Sequence, residues 1–353
     1  MPITRHSQSV ALAICLSIAA IAHAQVDLPH TTPEDQHIDP TALQTLFTTL
    51  TADPHHDIKG IVILRHNTLV AESYFNGDTA TSLHDIRSAT KSITATLMGI
   101  AIDHHFIHSV DDPVSLYLPN LPADKQAITI RDLLNMRSGL DADDEDPTSP
   151  GNEDRLDQST DWLKTAFAVP MKRPPGQAYL YCSLNAFLTG AIIENATHLP
   201  LDQFAKQQLF DPLDIHTFQW RHIPIHRITG QGNLSITTRD LARIGQLYLN
   251  NGTFNGHQLV SRNWVQTSLA SQVPIAFSDP YADFYGYMWY TKPEPVAGHT
   301  ILVHFASGNG GNKIYIIPSL DMVVAITSSA YGTNYGQRRS QDILLKILSA
   351  TYP

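Results

Sequence analysis

The sequence predicts an α+β fold: an antiparallel sheet flanked by helices, built from both ends of the chain around an inserted, mainly helical lobe. Three observations predict it. Alternating, β-branched runs precede residue 75; similar runs return after residue 300; and the stretch between them carries helical periodicity. A sheet whose strands lie at opposite ends of the chain closes by long-range pairing, with the intervening segment packed beside it.

The first element comprises Arg5 and His6, an apolar stretch from Val10 to Ala22, and Ala22-His23-Ala24 ahead of Gln25. That is the order of a secretory signal, so residues 1–24 are expected to be removed on export to the periplasm or the medium. Residues 25–353 are expected to form one domain, with its sheet region at about 41–86 and 284–353 and its helical lobe at about 87–283. After a proline-containing leader, 42–50 reads as a helix. Gly60-Ile61-Val62-Ile63-Leu64 and 69–75 read as a hairpin turning at His66-Asn67. The run from Ser88 to Ile102 is apolar enough for a buried helix. Residues 129–136, 186–195, 201–209 and 238–249 continue the helical pattern. Strands are expected at 300–305, 313–317 and 322–327, and a closing helix at 341–348.

The chain has 353 residues, and without Arg5 it carries 22 Lys plus Arg against 33 Asp plus Glu. This acidity argues against nucleic acid or an anionic membrane as partner. No run after the signal is long enough to span a bilayer, so no membrane span is expected. Loss of Cys15 with the signal leaves Cys182 as the only thiol, so the core rather than a disulfide must hold the fold. The histidines, including His55-His56 and His104-His105 with His108, fall into no metal-ligand spacing, and neither a metal nor an organic cofactor is expected. Residues 141–157 are rich in Asp, Glu, Pro and Gly without Ca²⁺-loop spacing and read as a solvated loop.

Chemistry points to Ser88-Ala89-Thr90-Lys91, the chain's only Ser-x-x-Lys. Residues three apart share a helix face, so the Lys91 amine can reach the Ser88 hydroxyl. A free amine has a pKa of about 10.4, but burial and the positive end of a helix both disfavour the ammonium, which leaves Lys91 able to act as a base. A helix start also leaves the Ser88 N–H without an internal acceptor, as half of an oxyanion hole requires. Two further segments stand out. In Tyr179-Leu180-Tyr181-Cys182-Ser183-Leu184-Asn185, a phenol can relay a proton between a lysine and a serine. In His304-Phe305-Ala306-Ser307-Gly308-Asn309, a strand ends in small residues suited to close approach of a ligand.

In this order the three segments resemble the motif set of the serine β-lactamase and penicillin-recognising superfamily. Asp111-Asp112-Pro113-Val114, Tyr117-Leu118-Pro119, Ile128 to Leu134 with Ser138-Gly139-Leu140, and Asp240 to Gly245 extend the likeness over nearly the whole domain. The chain is most similar to the class C β-lactamase-related hydrolases, a group of esterases, D-amino-acid peptidases and 6-aminohexanoate-dimer hydrolases. The resemblance implies a β-lactamase/transpeptidase-like fold, with Ser88 as the acylated nucleophile, Lys91 as its base and Tyr181 as the proton relay. It places Ser183 where relatives carry the Asn of Tyr-x-Asn, with Asn185 as a substitute for that amide. It sets Ala306-Ser307-Gly308 where they carry Lys-Thr-Gly or His-x-Gly, and makes the Asn309 N–H the second oxyanion donor. The expected substrate is a small ester, amide or lactam, with esters first because Ala306 supplies no cation for a carboxylate. The alternatives are a β-lactamase or D-amino-acid peptidase and, from another class, a non-catalytic sensor on the same fold. Retention of Ser88, Lys91 and Tyr181 together favours catalysis.

Overall fold

Asp39 starts the first helix, α1 (Pro40–Thr51): its carboxylate accepts from the Thr41 and Ala42 N–H groups, and Pro40 occupies the first turn, where no donor is lost. The computed structural model describes residues 28–223 and 227–351, so the expected signal segment lies outside the described residues. Next comes the hairpin of β1 (Ile58–Arg65) and β2 (Thr68–Tyr74). Its turn residues His66 and Asn67 have φ of 48° and 61°, the left-handed pair that a two-residue hairpin loop demands. β3 (His84–Asp85) leads through the turn Arg87–Ala89 into α2 (Thr90–Asp103).

The lobe that follows contains α3 (Ile130–Leu134), α4 (Glu153–Asp157), α5 (Trp162–Ala168), α6 (Ser183–Thr197) and α7 (Leu201–Ala205). β4 (Gln219–Trp220) and β5 (Leu234–Ile236) return the chain to β3 in a small sheet of order β3-β5-β4. α8 (Thr238–Leu249), the short hairpin β6 (Thr253–Phe254) and β7 (His257–Gln258), and α9 (Arg262–Leu269) precede the final strands. These are β8 (Val273–Pro274), β9 (Phe284–Tyr285), β10 (Tyr290–Val296), β11 (His299–Gly308), β12 (Asn312–Ile317) and β13 (Met322–Ser328), closed by α10 (Gly336–Thr351). The main sheet runs β2-β1-β13-β12-β11-β10-β9-β8 and is antiparallel throughout.

β12 and β13 are buried along their whole length because helices cover both faces of the sheet. α8 packs against β1, β12 and β13, so closely that a side chain at Gly245 would strike Ile314 and Val323. α10 packs with α1 and against the other face, where Gln337 bonds Ser307 and Gln341 bonds Glu294. Alternation along β11 therefore turns Phe305 and Ser307 toward α10, and His304, Ala306 and Gly308 toward the α2 and α8 side.

β10 is absent from the strands expected on sequence, because Pro293 and Pro295 interrupt its pattern. The structure accommodates both: β10 pairs with β9 only at Tyr290 and Thr291, so beyond that point one edge has no ladder to break. α8, assigned on sequence to the inserted lobe, lies on the sheet itself.

Candidate active site

Ser88 is held in a turn pinned from several sides. The Ile86 N–H donates to the Leu234 carbonyl, the Arg87 N–H to the Asp85 carboxylate, and the Tyr331 hydroxyl to the Asp85 carbonyl. Arg87 has φ of 50°, a left-handed conformation unusual for its type, and its guanidinium stacks over the Tyr331 ring. The first N–H of the turn to find an acceptor within it is that of Ala89, to the Ile86 carbonyl. The Ser88 N–H precedes it, at the head of the turn. Ser88 itself is partly exposed, whereas residues 89–101 behind it are buried without interruption.

Lys91 points out of that apolar helix into three oxygens: Ser88 Oγ at 2.8 Å, Gln231 O at 2.9 Å and Ser183 Oγ at 3.0 Å. Only 2% of the residue is exposed. Burial pushes its pKa below that of a free lysine, while the Glu153 and Asp144 carboxylates pull the other way. The Tyr181 phenol is near enough to Ser88 to interact with its hydroxyl, and its ring centroid lies 5.1 Å from the Lys91 nitrogen. Burial raises the phenol well above its ordinary value, so it is neutral at rest. Ser88, Lys91 and Tyr181 therefore meet at one point, although Tyr181 is remote in sequence. Tyr179 instead packs edge-on against Tyr285.

Ser183 takes a different place from the one the resemblance assigns it. Its hydroxyl accepts from Lys91 and gives its single hydrogen to Glu153 Oε2 at 2.7 Å, so none remains for a substrate carbonyl. Asn185, two residues further on, is fully buried and donates to Met136 Sδ at 3.5 Å.

The acidic loop is likewise not simply solvated. The Asn152 amide donates to the Asp143, Asp144 and Asp146 carbonyls, and Ser149 bridges Asp141 and Asp143. The folded loop delivers Asp144, whose Oδ2 accepts from the Ser183 N–H at 2.5 Å and whose Oδ1 accepts from the Glu153 N–H at 3.2 Å. Burial pushes the Asp144 carboxyl up to about 6 despite the pull of Lys91.

The end of β11 closes the other side. β10 pairing stops at Tyr290 opposite Phe305, so residues 306–308 are paired only to β12. A Cβ on Gly308 would lie 2.0 Å from the Ile86 carbonyl and 3.1 Å from the Ala89 nitrogen, so this strand end abuts the Ser88 turn. Asn309, next along, uses its side-chain oxygen for the Gly332 N–H and its carbonyl for Asn312. The Ser307 hydroxyl, by contrast, is spent on the α10 face, where it donates to Gln337 and accepts from Lys313 at 2.8 Å. Lys313 is a lysine the sequence reading does not place here; it crosses from β12 and its amine lies over the Phe305 ring. His304 bonds Thr291 at 2.8 Å, and Cys182 is buried with its thiol pKa raised. Among the described residues no cluster of His, Cys, Asp and Glu is arranged to hold a metal, and no helix is long and apolar enough to cross a membrane.

A family model described as Beta-lactamase matches residues 43–346. The 6-aminohexanoate-dimer hydrolase of Paenarthrobacter ureafaciens is 27% identical over 291 residues, which cover 76% of this chain and 71% of that protein. A putative D-alanyl-D-alanine carboxypeptidase of Salmonella paratyphi B is 27% identical over 148 residues, 39% of this chain and 34% of its own length. Among solved structures, a putative 6-aminohexanoate-dimer hydrolase from Bacillus anthracis aligns with a TM-score of 0.74 at 19% identity, covering 91% of this chain and 87% of the other. A class C beta lactamase from Rhodobacter sphaeroides aligns at 0.63 and 17% identity, over 87% of this chain and 99% of its own. At these identities the structural likeness concerns the fold.

Proposed function

The chain belongs to the Beta-lactamase family and is a serine hydrolase, and from that premise we propose that it is exported and cleaves small esters through an acyl-enzyme on Ser88. The observation that carries this reading is the 2.8 Å contact between Ser88 Oγ and a buried lysine amine. In the reaction Ser88 Oγ attacks the acyl carbonyl while its proton passes to the neutral Lys91 amine, either directly or by relay through the Tyr181 phenol, which gives its own hydrogen to the amine as it receives the serine's. The oxyanion is held by the Ser88 and Asn309 N–H groups. Tyr181 returns the proton to the departing alcohol, and water attacks the acyl-enzyme by the reverse path.

Charge supports the choice of substrate. Ala306 puts no cation on the face that meets Ser88, and the two carboxylates near Lys91 repel an anionic substrate. Neutral esters suit such a site. The amide reading draws on the name of the Paenarthrobacter relative, and the β-lactam or D-amino-acid peptide reading on the family itself and the name of the Salmonella relative. A turnover screen with a chromogenic ester, a linear amide, a cephalosporin and a D-alanyl peptide, each against Ser88→Ala, tests the proposal. Ester turnover abolished by that substitution, with fluorophosphonate labelling confined to Ser88, is the expected result. Label on another serine, or a lactam outrunning every ester, overturns it. Export is tested by sequencing the amino terminus of the mature protein, expected at Gln25.

A further inference from the structure

We propose that Glu153 is a positioning residue for Lys91: acting through Ser183, it fixes the direction of the hydrogen bonds around the amine so that the nitrogen lone pair faces Ser88. The inference deepens the acyl-enzyme reading and rests on it. It follows from counting hydrogens. The Gln231 carbonyl can only accept, so one Lys91 N–H is committed to it. A carboxylate can only accept, so the Ser183 hydrogen is committed to Glu153 at 2.7 Å. Toward Lys91 the Ser183 oxygen can then only accept, which commits a second N–H at 3.0 Å. A neutral amine has two hydrogens and one lone pair. With both hydrogens placed, the lone pair falls on the third neighbour, Ser88 Oγ at 2.8 Å, and takes the hydroxyl proton when Ser88 attacks. Glu153 itself gains no proton in this step.

The carboxylate is held for that role. Glu153 opens α4 with its N–H on Asp144, whose other oxygen receives the Ser183 N–H, so Asp144 fixes both partners. The ionisable groups facing Lys91 are Glu153 and Asp144 from the loop, and Tyr181 and Cys182 from the segment entering α6. Burial raises both of the latter, which keeps them neutral. An amide at 153 presents a donor as well as an acceptor. It frees the Ser183 hydroxyl to turn its hydrogen onto Lys91, where it competes with Ser88 for the lone pair.

The test compares wild type, Glu153→Gln, Ser183→Ala and the double variant by chromogenic-ester kcat/KM across pH and by the rate of fluorophosphonate labelling at Ser88. Glu153→Gln is expected to lower the high-pH plateau about tenfold, of the order of one charge-assisted hydrogen bond. It also shifts the Lys91 limb of the profile to lower pH, since a charge that favours the ammonium has gone. In the Ser183→Ala background the same substitution is expected to leave the plateau unchanged, because the hydroxyl that transmits the effect is absent. Plateau losses of equal size in both backgrounds overturn the proposal, as does an unchanged plateau and limb in Glu153→Gln. Melting curves on each variant separate these outcomes from unfolding. If wild-type Ser88 takes no label at all, the acyl-enzyme reading fails and the inference with it. If Ser88 is labelled normally but is indifferent to Glu153, only the inference fails.

Discussion

Gly308→Ala tests whether the backbone approach between β11 and the nucleophile turn sets the reaction geometry. The added methyl carbon would lie 2.0 Å from the Ile86 carbonyl oxygen. Ordinary contact begins beyond 3 Å, so strand and turn must part by about 1 Å, and both partners are backbone that no rotamer change can move aside. Ile86 is two residues from Ser88, and Asn309, the proposed second oxyanion donor, adjoins the substituted residue. The displacement therefore moves the turn that carries Ser88 away from the strand end that carries Asn309. A 1 Å misplacement costs about 100-fold in rate, and overpacking of this kind costs about 1–3 kcal/mol in stability. The assay is kcat/KM on a chromogenic ester beside urea unfolding of the same samples. Gly256→Ala serves as control: its φ of 79° also disfavours a side chain, but nothing lies within 4 Å of the new atom, so about 1 kcal/mol of stability should be lost without loss of rate. Wild-type kcat/KM in a folded Gly308→Ala protein refutes the reasoning.

Lys91→Ala should fold yet lose about 10²–10⁴ of turnover, the usual worth of a general base, and a near-normal rate would make Lys91 structural. Tyr181→Phe should lower kcat strongly, whereas Tyr179→Phe should not, since Tyr179 packs on Tyr285 away from Ser88; equal losses would show that the wrong phenol has been chosen. Cys182→Ala should retain activity, because burial keeps its thiol protonated, and full inactivation of a folded variant would contradict that. Lys313 gives a pH dependence of stability. Burial pushes its pKa down from 10.5 to about 7, so between these values the unfolded chain binds more protons than the native one. Stability should therefore rise with pH across that window, by at most about 1.4 kcal/mol per unit from this group. Lys313→Met should flatten the rise in urea midpoints between pH 7 and pH 9, and an unchanged slope would mean that the amine is not desolvated.

What could be read from the sequence is what neighbouring residues decide among themselves. The β1–β2 hairpin is legible because His66-Asn67 interrupts two apolar runs at the spacing of a tight turn. Ser88 and Lys91 are legible because three residues along a helical turn bring two side chains to one face. β10 is not, because two prolines in seven residues argue against a strand unless its bare edge is known, and that edge depends on how far β9 reaches. The face reached by Ser307 is equally hidden, since a strand's alternation has no absolute sense until a helix covers one side.

The same distinction explains the acidic loop. Its composition is that of a solvated segment, and most of its side chains are indeed exposed. What composition does not carry is the Asn152 amide gathering three carbonyls, which turns the loop back so that Asp144 and Glu153 reach the start of α6. Around Lys91, only the Ser88 contact is local. The other two come from residues 92 and 140 positions away, yet it is these two that decide which form of the amine faces the nucleophile. A Ser-x-x-Lys spacing therefore identifies a nucleophile and a nitrogen, whereas the protonation that makes the pair reactive belongs to tertiary structure. The charge on Glu153 acts there in two opposed ways: it orients the lone pair through Ser183, and it favours the ammonium that has none. Burial of Lys91 works with the first effect, because desolvation outweighs the two carboxylates and holds the pKa of the amine below that of a free lysine.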